Sequence, residues 1–91
     1  MDPLKCTIRS TFELSTRASF VVVLNSWDEE LSNKNLLHTE NKEVVLPFNG
    51  IEILDADGEG FPGIVIKYAD EGQLQCLRSL KENDSIYLTQ M

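Results

Sequence analysis

Apolar and polar residues alternate with a period of two from Leu4 to Leu14. The apolar positions of this alternation are Leu4, Cys6, Ile8, Phe12 and Leu14, interrupted only at Ser10. Such a pattern predicts a β-strand that buries one face and exposes the other. Residues 18–24 (ASFVVVL) are rich in β-branched and aromatic side chains and predict a second strand, apolar on both faces from Val21 to Val23. Because only the short STR segment separates the two strands, we expect a hairpin.

Short apolar runs further along the chain predict more strands. They are VVLPF at residues 44–48, IEIL at 51–54, IVIKY at 64–68 and a last strand around Ile86 and Leu88. Pro47 cannot donate a hydrogen bond to a neighbouring strand, so we expect the first of these strands at a sheet edge or at a bulge.

Residues 73–82 fit two descriptions. Alternate residues from Leu74 to Arg78 fit a strand, whereas the spacing of Leu74 and Leu77 fits one face of a helix that Asp70 would cap. We favour the strand because the segments around it are predicted to be β.

A long polar segment, NSWDEELSNKNLLHTENKE, occupies residues 25–43 and has no sustained strand or helix period. Within it, Ser26 and Glu29 have the spacing of a capping box, which predicts a single helical turn from Trp27 to Leu31. The Leu-Leu pair at 36–37 is expected to return to the core.

These elements together predict an all-β fold. The expected architecture is a small closed or partly open antiparallel β-barrel of six to seven short strands, with at most one short helical turn. A barrel is favoured because it protects the edges of a sheet in a short chain. With 91 residues the chain is long enough for one hydrophobic core but not for a second lobe, so residues 1–91 are predicted to form a single domain.

The charge of the chain narrows the classes of partner. Its formal net charge is −7, from 15 acids and 8 bases, and the acidic excess lies after Leu24. This disfavours binding to nucleic acid or to an anionic membrane. No apolar run is long enough to cross a bilayer and the N-terminal residues lack the apolar core of a signal peptide, so we expect a cytoplasmic protein. Cys6 and Cys76 are then expected to be reduced, buried thiols.

The order of these segments resembles a known β-barrel family, domain 2 of elongation factor Tu and related translation factors. The segments that carry the resemblance are STFELSTRASFVVVLNS (10–26), ELSNKNLL (30–37), NGIEILD (49–55) and LKENDSIYL (80–88). Ala18 and Asn83 stand where that family has glycine. The resemblance covers residues 4–90 and implies a β-barrel with a binding surface, although a fold does not define a function. The chain has no phosphate-binding P-loop, which excludes a GTPase.

The stretch DADGEG raises the question of a metal site. Asp55, Asp57 and Glu59 fall at the first, third and fifth positions of a calcium loop, with Gly60 at the sixth. The closing acidic ligand would fall on Ile66, and no helix is predicted on either side. We therefore interpret the stretch as an acid-tipped β-turn, with the three acids as weak metal candidates only, and we predict no cofactor.

Trp27 is a large aromatic residue in a polar segment, and Asp28, Glu29 and Glu30 follow it. An exposed tryptophan beside acids is typical of a protein-binding surface, in which the acids attract a basic partner. The alternative is that the indole folds back as a lid over the mouth of the barrel. Phe61, at the tip of the glycine-rich turn, is a second candidate for contact with a partner.

No catalytic site is predicted, because His38 is the single histidine and no nucleophile is paired with it by any motif. The leading hypothesis is a small, acidic, non-enzymatic protein-interaction module with a basic protein partner. One alternative is a toxin-neutralising or inhibitor protein that covers a basic site on its partner. Another is a small-ligand or cation binder that uses the 55–60 turn. Self-association through an edge strand is also open.

Overall fold

A computed structural model describes residues 3–40, 45–48, 50–56 and 58–90. Within these ranges the chain forms seven strands and one α-helix. The strands are β1 (Leu4–Leu14), β2 (Ser19–Leu24), β3 (Leu36–His38), β4 (Val45–Pro47), β5 (Gly50–Ala56), β6 (Glu59–Lys67) and β7 (Ser85–Thr89), and the helix is α1 (Glu71–Arg78). Two 3₁₀ turns, Ser15–Arg17 and Glu29–Asn33, follow β1 and β2.

All seven strands belong to one antiparallel sheet with the order β4-β3-β7-β1-β2-β6-β5. The long strand β1 is central: its first residues pair with β7, and its remaining residues pair with β2 in the predicted hairpin. The antiparallel β architecture and the number of strands are therefore confirmed. The sheet does not close on itself, because β4 and β5 are its two edges, so a closed barrel is not confirmed. The edge position predicted for Pro47 is confirmed, and self-association through an edge stays a prediction.

A β-bulge in β1 reverses part of the predicted alternation. Arg9 is an extra residue in the register with β2, because its neighbours Ile8 and Ser10 lie opposite consecutive residues of that strand. One extra residue sends the side chains that follow it to the opposite face of the sheet. Phe12 therefore leaves the face of Ile8 and is 40% exposed. The prediction that every apolar side chain of this segment shares one buried face was wrong.

The helix α1 replaces the strand favoured at residues 73–82, and that prediction was wrong. The Asp70 carboxylate accepts a hydrogen bond from the Gln73 amide at 2.9 Å, and the Gln73 side-chain oxygen accepts one from the Ala69 amide at 2.7 Å. The first bond satisfies an amide that the first turn of a helix leaves without a partner, and the second ties the helix to the residue before its cap. The helix also exceeds the single helical turn that the predicted fold allowed.

Among the described residues, no helix has the length and apolar character that crossing a membrane requires.

One hydrophobic core collects apolar side chains from the sheet, the second 3₁₀ turn and α1. Its fully buried members are Ile8, Val22, Leu31, Leu37, Ile64, Ile66, Leu77, Ile86 and Leu88. The predicted return of residues 36–37 to the core is confirmed by Leu37, which is completely buried. Val21 and Val23 are also buried but lie outside this cluster, since neighbouring residues of β2 point to opposite faces of the sheet.

Candidate functional site

The helical turn after β2 is held by a different cap from the predicted one. Asp28 has an extended backbone and its Oδ1 accepts a hydrogen bond from the Glu30 amide at 2.8 Å, at the start of the 3₁₀ turn Glu29–Asn33. An aspartate in this position satisfies an amide that would otherwise lack a partner. The turn thus begins two residues later than predicted, and the assignment of Ser26 as its cap was wrong.

Both ends of this loop are fixed to the body of the protein. On the N-terminal side, the Asn25 amide donates to the Thr7 carbonyl at 3.1 Å, which continues the pairing of β2 with β1. On the C-terminal side, Leu31 is completely buried in the core. The residues between these two anchor points are therefore displayed on the surface by an ordered segment.

Trp27 is 54% exposed, the largest exposed fraction among the aromatic residues in the described part of the chain. The three acids that follow it, Asp28, Glu29 and Glu30, are also exposed, and none forms an ion pair with a described basic side chain. We call these four residues the Trp27 surface. It combines a large apolar contact area with negative charges that are free to attract a cationic group.

Beside the Trp27 surface lies a cavity of about 460 Å³ that we call the Lys34 cavity. Its lining residues are Trp27, Leu31, Ser32, Lys34, Asn35, Phe48, Gly50 and Ile51. Lys34 is only 8% exposed, which is unusual for a lysine. No described carboxylate forms an ion pair with it.

A second cavity, of about 350 Å³, adjoins the first. The two share Phe48, Gly50 and Ile51, and the second is completed by Pro47, Glu52, Val65 and Lys67. Of the shared residues, Phe48 follows β4, and Gly50 and Ile51 begin β5; these two strands are the edges of the sheet. Both cavities therefore lie at the junction of the two edge strands.

The DADGEG stretch lies where β5 turns into β6, as predicted, but the turn is shorter than residues 55–60 because the first two and last two residues of the stretch pair in the strands. The register of this hairpin places Asp55 opposite Gly60 and Ala56 opposite Glu59, and Gly58 in the turn has a φ of 83°. Asp55 and Glu59 occupy neighbouring registers, so their side chains point to opposite faces of the hairpin. The third candidate, Asp57, lies outside the described residues. No group of three or more potential metal ligands occurs among the residues that are described.

Phe61 differs from Trp27 in its environment. It lies on β6 opposite Leu54, so the prediction that it lies at the tip of the turn was wrong. It is half-buried, and the Arg9 guanidinium lies 4.1 Å from the centre of its ring. A cation over an aromatic face is a stabilising contact. The bulge in β1 that contains Arg9 thus covers one of the two aromatic candidates for partner binding.

The two cysteines are free, as predicted, but only one is partly buried. Burial, and to a smaller extent the negative charge of Asp28, raise the pKa of the Cys6 thiol to about 11. This thiol is protonated at neutral pH and is a poor nucleophile. Cys76 is exposed on α1, so the prediction that it is buried was wrong.

His38 lies on β3 and its ring stacks on Tyr87, with 5.5 Å between ring centres and 16° between ring planes. Its Nδ1 lies 3.0 Å from the Thr39 carbonyl oxygen. These contacts give the histidine a structural role at the β3–β7 pairing.

The residues that sequence analysis missed are Lys34, Phe48 and Ile51. Lys34 occurs in the polar stretch SNKN and nothing adjacent in the sequence marks it as buried. The only available indication was that a leucine flanks the stretch on each side, Leu31 and Leu36. If both leucines pack toward the core, the backbone between them must stay close to it.

Comparisons of this chain with protein-family models, with curated proteins and with solved structures find no match. The resemblance to domain 2 of elongation factor Tu therefore stays a prediction, and the function has to follow from the geometry of the Trp27 surface and of the cavities beside it.

Proposed function

We propose that this chain is a protein-interaction domain that binds a basic segment of a partner protein through the Trp27 surface. The observation that carries the proposal is the 54% exposure of Trp27 next to three exposed acids. Tryptophan is among the residues most often found at the energetic centre of protein interfaces, because it buries a large area with little loss of conformational freedom.

The fixed ends of the loop support this role. A binding loop that is already ordered loses less entropy on association than a mobile one. Leu31, in the core, and the Asn25–Thr7 hydrogen bond hold the loop on either side of Trp27. The surface is therefore prepared for binding without a large rearrangement.

The charges favour a basic partner. Asp28, Glu29 and Glu30 add to a chain that already carries a net charge of −7. Such a surface accelerates the encounter with a cationic segment, and the acceleration decreases as salt screens the charges. A partner whose basic segment lines its own active site would make this chain an inhibitor, which is the same mode of binding with a more specific outcome.

A cytoplasmic location is part of the proposal. The two free thiols are consistent with a reducing compartment. The cation-binding alternative has less support, because the hairpin directs Asp55 and Glu59 to opposite faces.

The test is affinity capture from cell extract, followed by measurement of the dissociation constant for each captured protein. We compare the natural chain with Trp27→Ala and with the triple variant Asp28→Asn, Glu29→Gln, Glu30→Gln. We expect to capture a basic protein with the natural chain. The Trp27→Ala variant should bind this protein about 30-fold more weakly, because it loses a central contact of about 2 kcal/mol. The triple variant should weaken binding mainly at low salt.

The matched control is a second triple variant, Glu52→Gln, Asp55→Asn, Glu59→Gln, which removes the same charge from exposed positions on the β5–β6 hairpin. It should bind the partner almost as well as the natural chain. The proposal fails when no captured protein distinguishes the natural chain from Trp27→Ala, or when both triple variants weaken binding equally. The latter result would show that only net charge matters.

A further inference from the structure

We infer that the Lys34 cavity is a binding site for a small-molecule carboxylate with an apolar body. This ligand goes beyond the proposed protein interaction, and the two sites share Trp27. The inference rests on three features of the cavity, which are a mostly buried lysine without an ion-pair partner, an apolar wall and a suitable volume.

Lys34 is the first feature. The residue is 8% exposed and its amine forms no ion pair with a described carboxylate, in a chain with 15 acids and 8 bases. Its stem is therefore buried, while full removal of the unpaired amine from water would be costly. No described side chain has a fully buried nitrogen or oxygen atom without a hydrogen bond, so the Lys34 amine keeps access to solvent. An anion that enters the cavity can replace that solvent and pair with the amine.

The wall of the cavity is the second feature. Trp27 and Ile51 provide the accessible apolar surface around Lys34, and the buried side chains of Phe48 and Leu31 complete the lining. Binding sites for small molecules typically combine such a wall with a few polar groups that fix the orientation of the ligand. A ligand that matches this site carries one negative group for Lys34 and an aliphatic or aromatic remainder for the wall.

The volume is the third feature. A cavity of about 460 Å³ lies within the range of sites for small organic molecules, roughly 300 to 1,000 Å³. An acidic polypeptide is a poorer match, because a chain with a net charge of −7 would repel its repeated charges. A single carboxylate that pairs with the Lys34 amine experiences less of that repulsion, since the exposed acids of the chain are hydrated and screened by salt.

The chain provides its own reporter, because Trp27 is the only tryptophan. We titrate the protein with octanoate and follow the tryptophan fluorescence, with 1-octanol as a neutral ligand of the same chain length. We expect a saturable change with octanoate and affinity for 1-octanol that is at least about tenfold lower, because the alcohol cannot form a charged pair with Lys34.

Lys34→Met tests the residue directly, because methionine keeps the apolar stem and removes the charge. It should bind octanoate about tenfold or more weakly than the natural chain. The control is Lys81→Met, a lysine that is exposed and does not line the cavity, and it should bind octanoate with unchanged affinity.

The inference is overturned when octanoate produces no saturable change, when 1-octanol binds equally well, or when Lys34→Met retains the natural affinity. Circular dichroism establishes whether Lys34→Met is folded. If this variant does not fold, the inference is tested on the natural chain alone, by comparing the affinities for octanoate and 1-octanol and by measuring amide chemical shifts. Octanoate must then shift the Leu31, Lys34 and Ile51 amides, and shifts confined to other parts of the chain would refute the site.

Discussion

The two cysteines show how burial assigns different chemistry to residues of one type. The pKa of the Cys6 thiol is raised to about 11, chiefly by burial, whereas Cys76 is exposed on α1. Because the thiolate is the reactive form, about one Cys6 side chain in a thousand is reactive at pH 8. We expect iodoacetamide to modify Cys76 well before Cys6 in the folded protein, as measured by mass spectrometry of the digested chain. In urea the two should react at similar rates, and equal rates without urea would contradict the burial of Cys6.

Gly63 on β6 is a position where the packing leaves no room for a methyl group. A Cβ atom there would lie 2.7 Å from Leu54 Cδ1 and 3.2 Å from Val21 Cγ1. Leu54 is half-buried and its methyl group can move outward, so Gly63→Ala should lower the free energy of unfolding by only about 1 kcal/mol, the low end for overpacking.

The matched control for this change is Gly50→Ala on β5. Nothing lies within 4 Å of the Cβ position at Gly50, so this variant should change the stability by less than about 0.5 kcal/mol. Urea denaturation measures both variants against the natural chain. Equal stabilities for the two variants would show that the β5–β6 packing differs from the one described.

At the level of elements, strands with a clear local residue pattern could be predicted from the sequence. A bulge made by one extra residue and a helix of only eight residues could not. The β1–β2 hairpin and the last strand follow from runs of alternating or β-branched residues, and both were confirmed. No residue type at or next to Arg9 indicates a bulge in the sequence. The helix α1 spans only eight residues and buries two leucines, too few to establish a helical period. The indications of a helix were the spacing of Leu74 and Leu77 and Asp70 as a cap, and the predicted strands around the segment were given more weight.

The role of Asp70 leads to a prediction about this helix. Asp70→Ala removes the acceptor for the Gln73 amide and should lower the free energy of unfolding by about 1 kcal/mol. Glu82→Ala is the control, because Glu82 is an exposed acid outside the helix and the change in charge is the same. Urea denaturation of both variants is the measurement. If residues 73–82 formed a strand, Asp70 would not cap a helix and its substitution would cost no more than that of Glu82. Equal effects of the two substitutions would therefore argue against the helix.

At the level of the whole molecule, the candidate site is a consequence of the open sheet. Trp27 and its acids could be identified from sequence because a tryptophan in a polar loop is a local feature. The cavity could not, because its wall combines the loop after β2 with Phe48, which follows β4, and with Gly50 and Ile51 at the start of β5. Pro47 at the end of β4 and Gly50 at the start of β5 are three residues apart, so their Cα atoms are at most about 11 Å from each other. The described residues of these two edge strands do not pair with each other, and residues from their junction line both cavities.

The ion pair of Glu13 with Arg78 connects β1 to α1 across 65 positions of the chain. Both hydrogen bonds of the pair come from the Arg78 guanidinium, from Nε to Oε1 and, at 3.1 Å, from Nη2 to Oε2 of the Glu13 carboxylate. These hydrogen bonds, assisted by the charge of Arg78, hold the pKa of Glu13 below its ordinary value. The pair thus stabilises the packing of the helix on the sheet only while Glu13 is ionised.

The pH dependence of this stabilisation has a definite sign. A carboxylate whose pKa is lower in the folded state than in the unfolded chain stabilises the protein above the unfolded value, about 4.3 for glutamate, and this stabilisation is lost as the pH falls through the folded pKa. Glu13→Gln should therefore be less stable than the natural chain at pH 7, by a small amount because the pair is exposed to solvent, and the difference should disappear under strongly acidic conditions.

Urea denaturation over a range of pH measures this difference, and Glu82→Gln is the control because that exposed acid forms no ion pair with a described base. The control should follow the natural chain at every pH. In the background of Arg78→Gln, Glu13→Gln should have little further effect, because the partner that lowers the pKa of Glu13 has been removed. A stability difference that persists in strong acid would show that Glu13 acts through packing, since its charge is absent there, and the connection between β1 and α1 would then not be electrostatic.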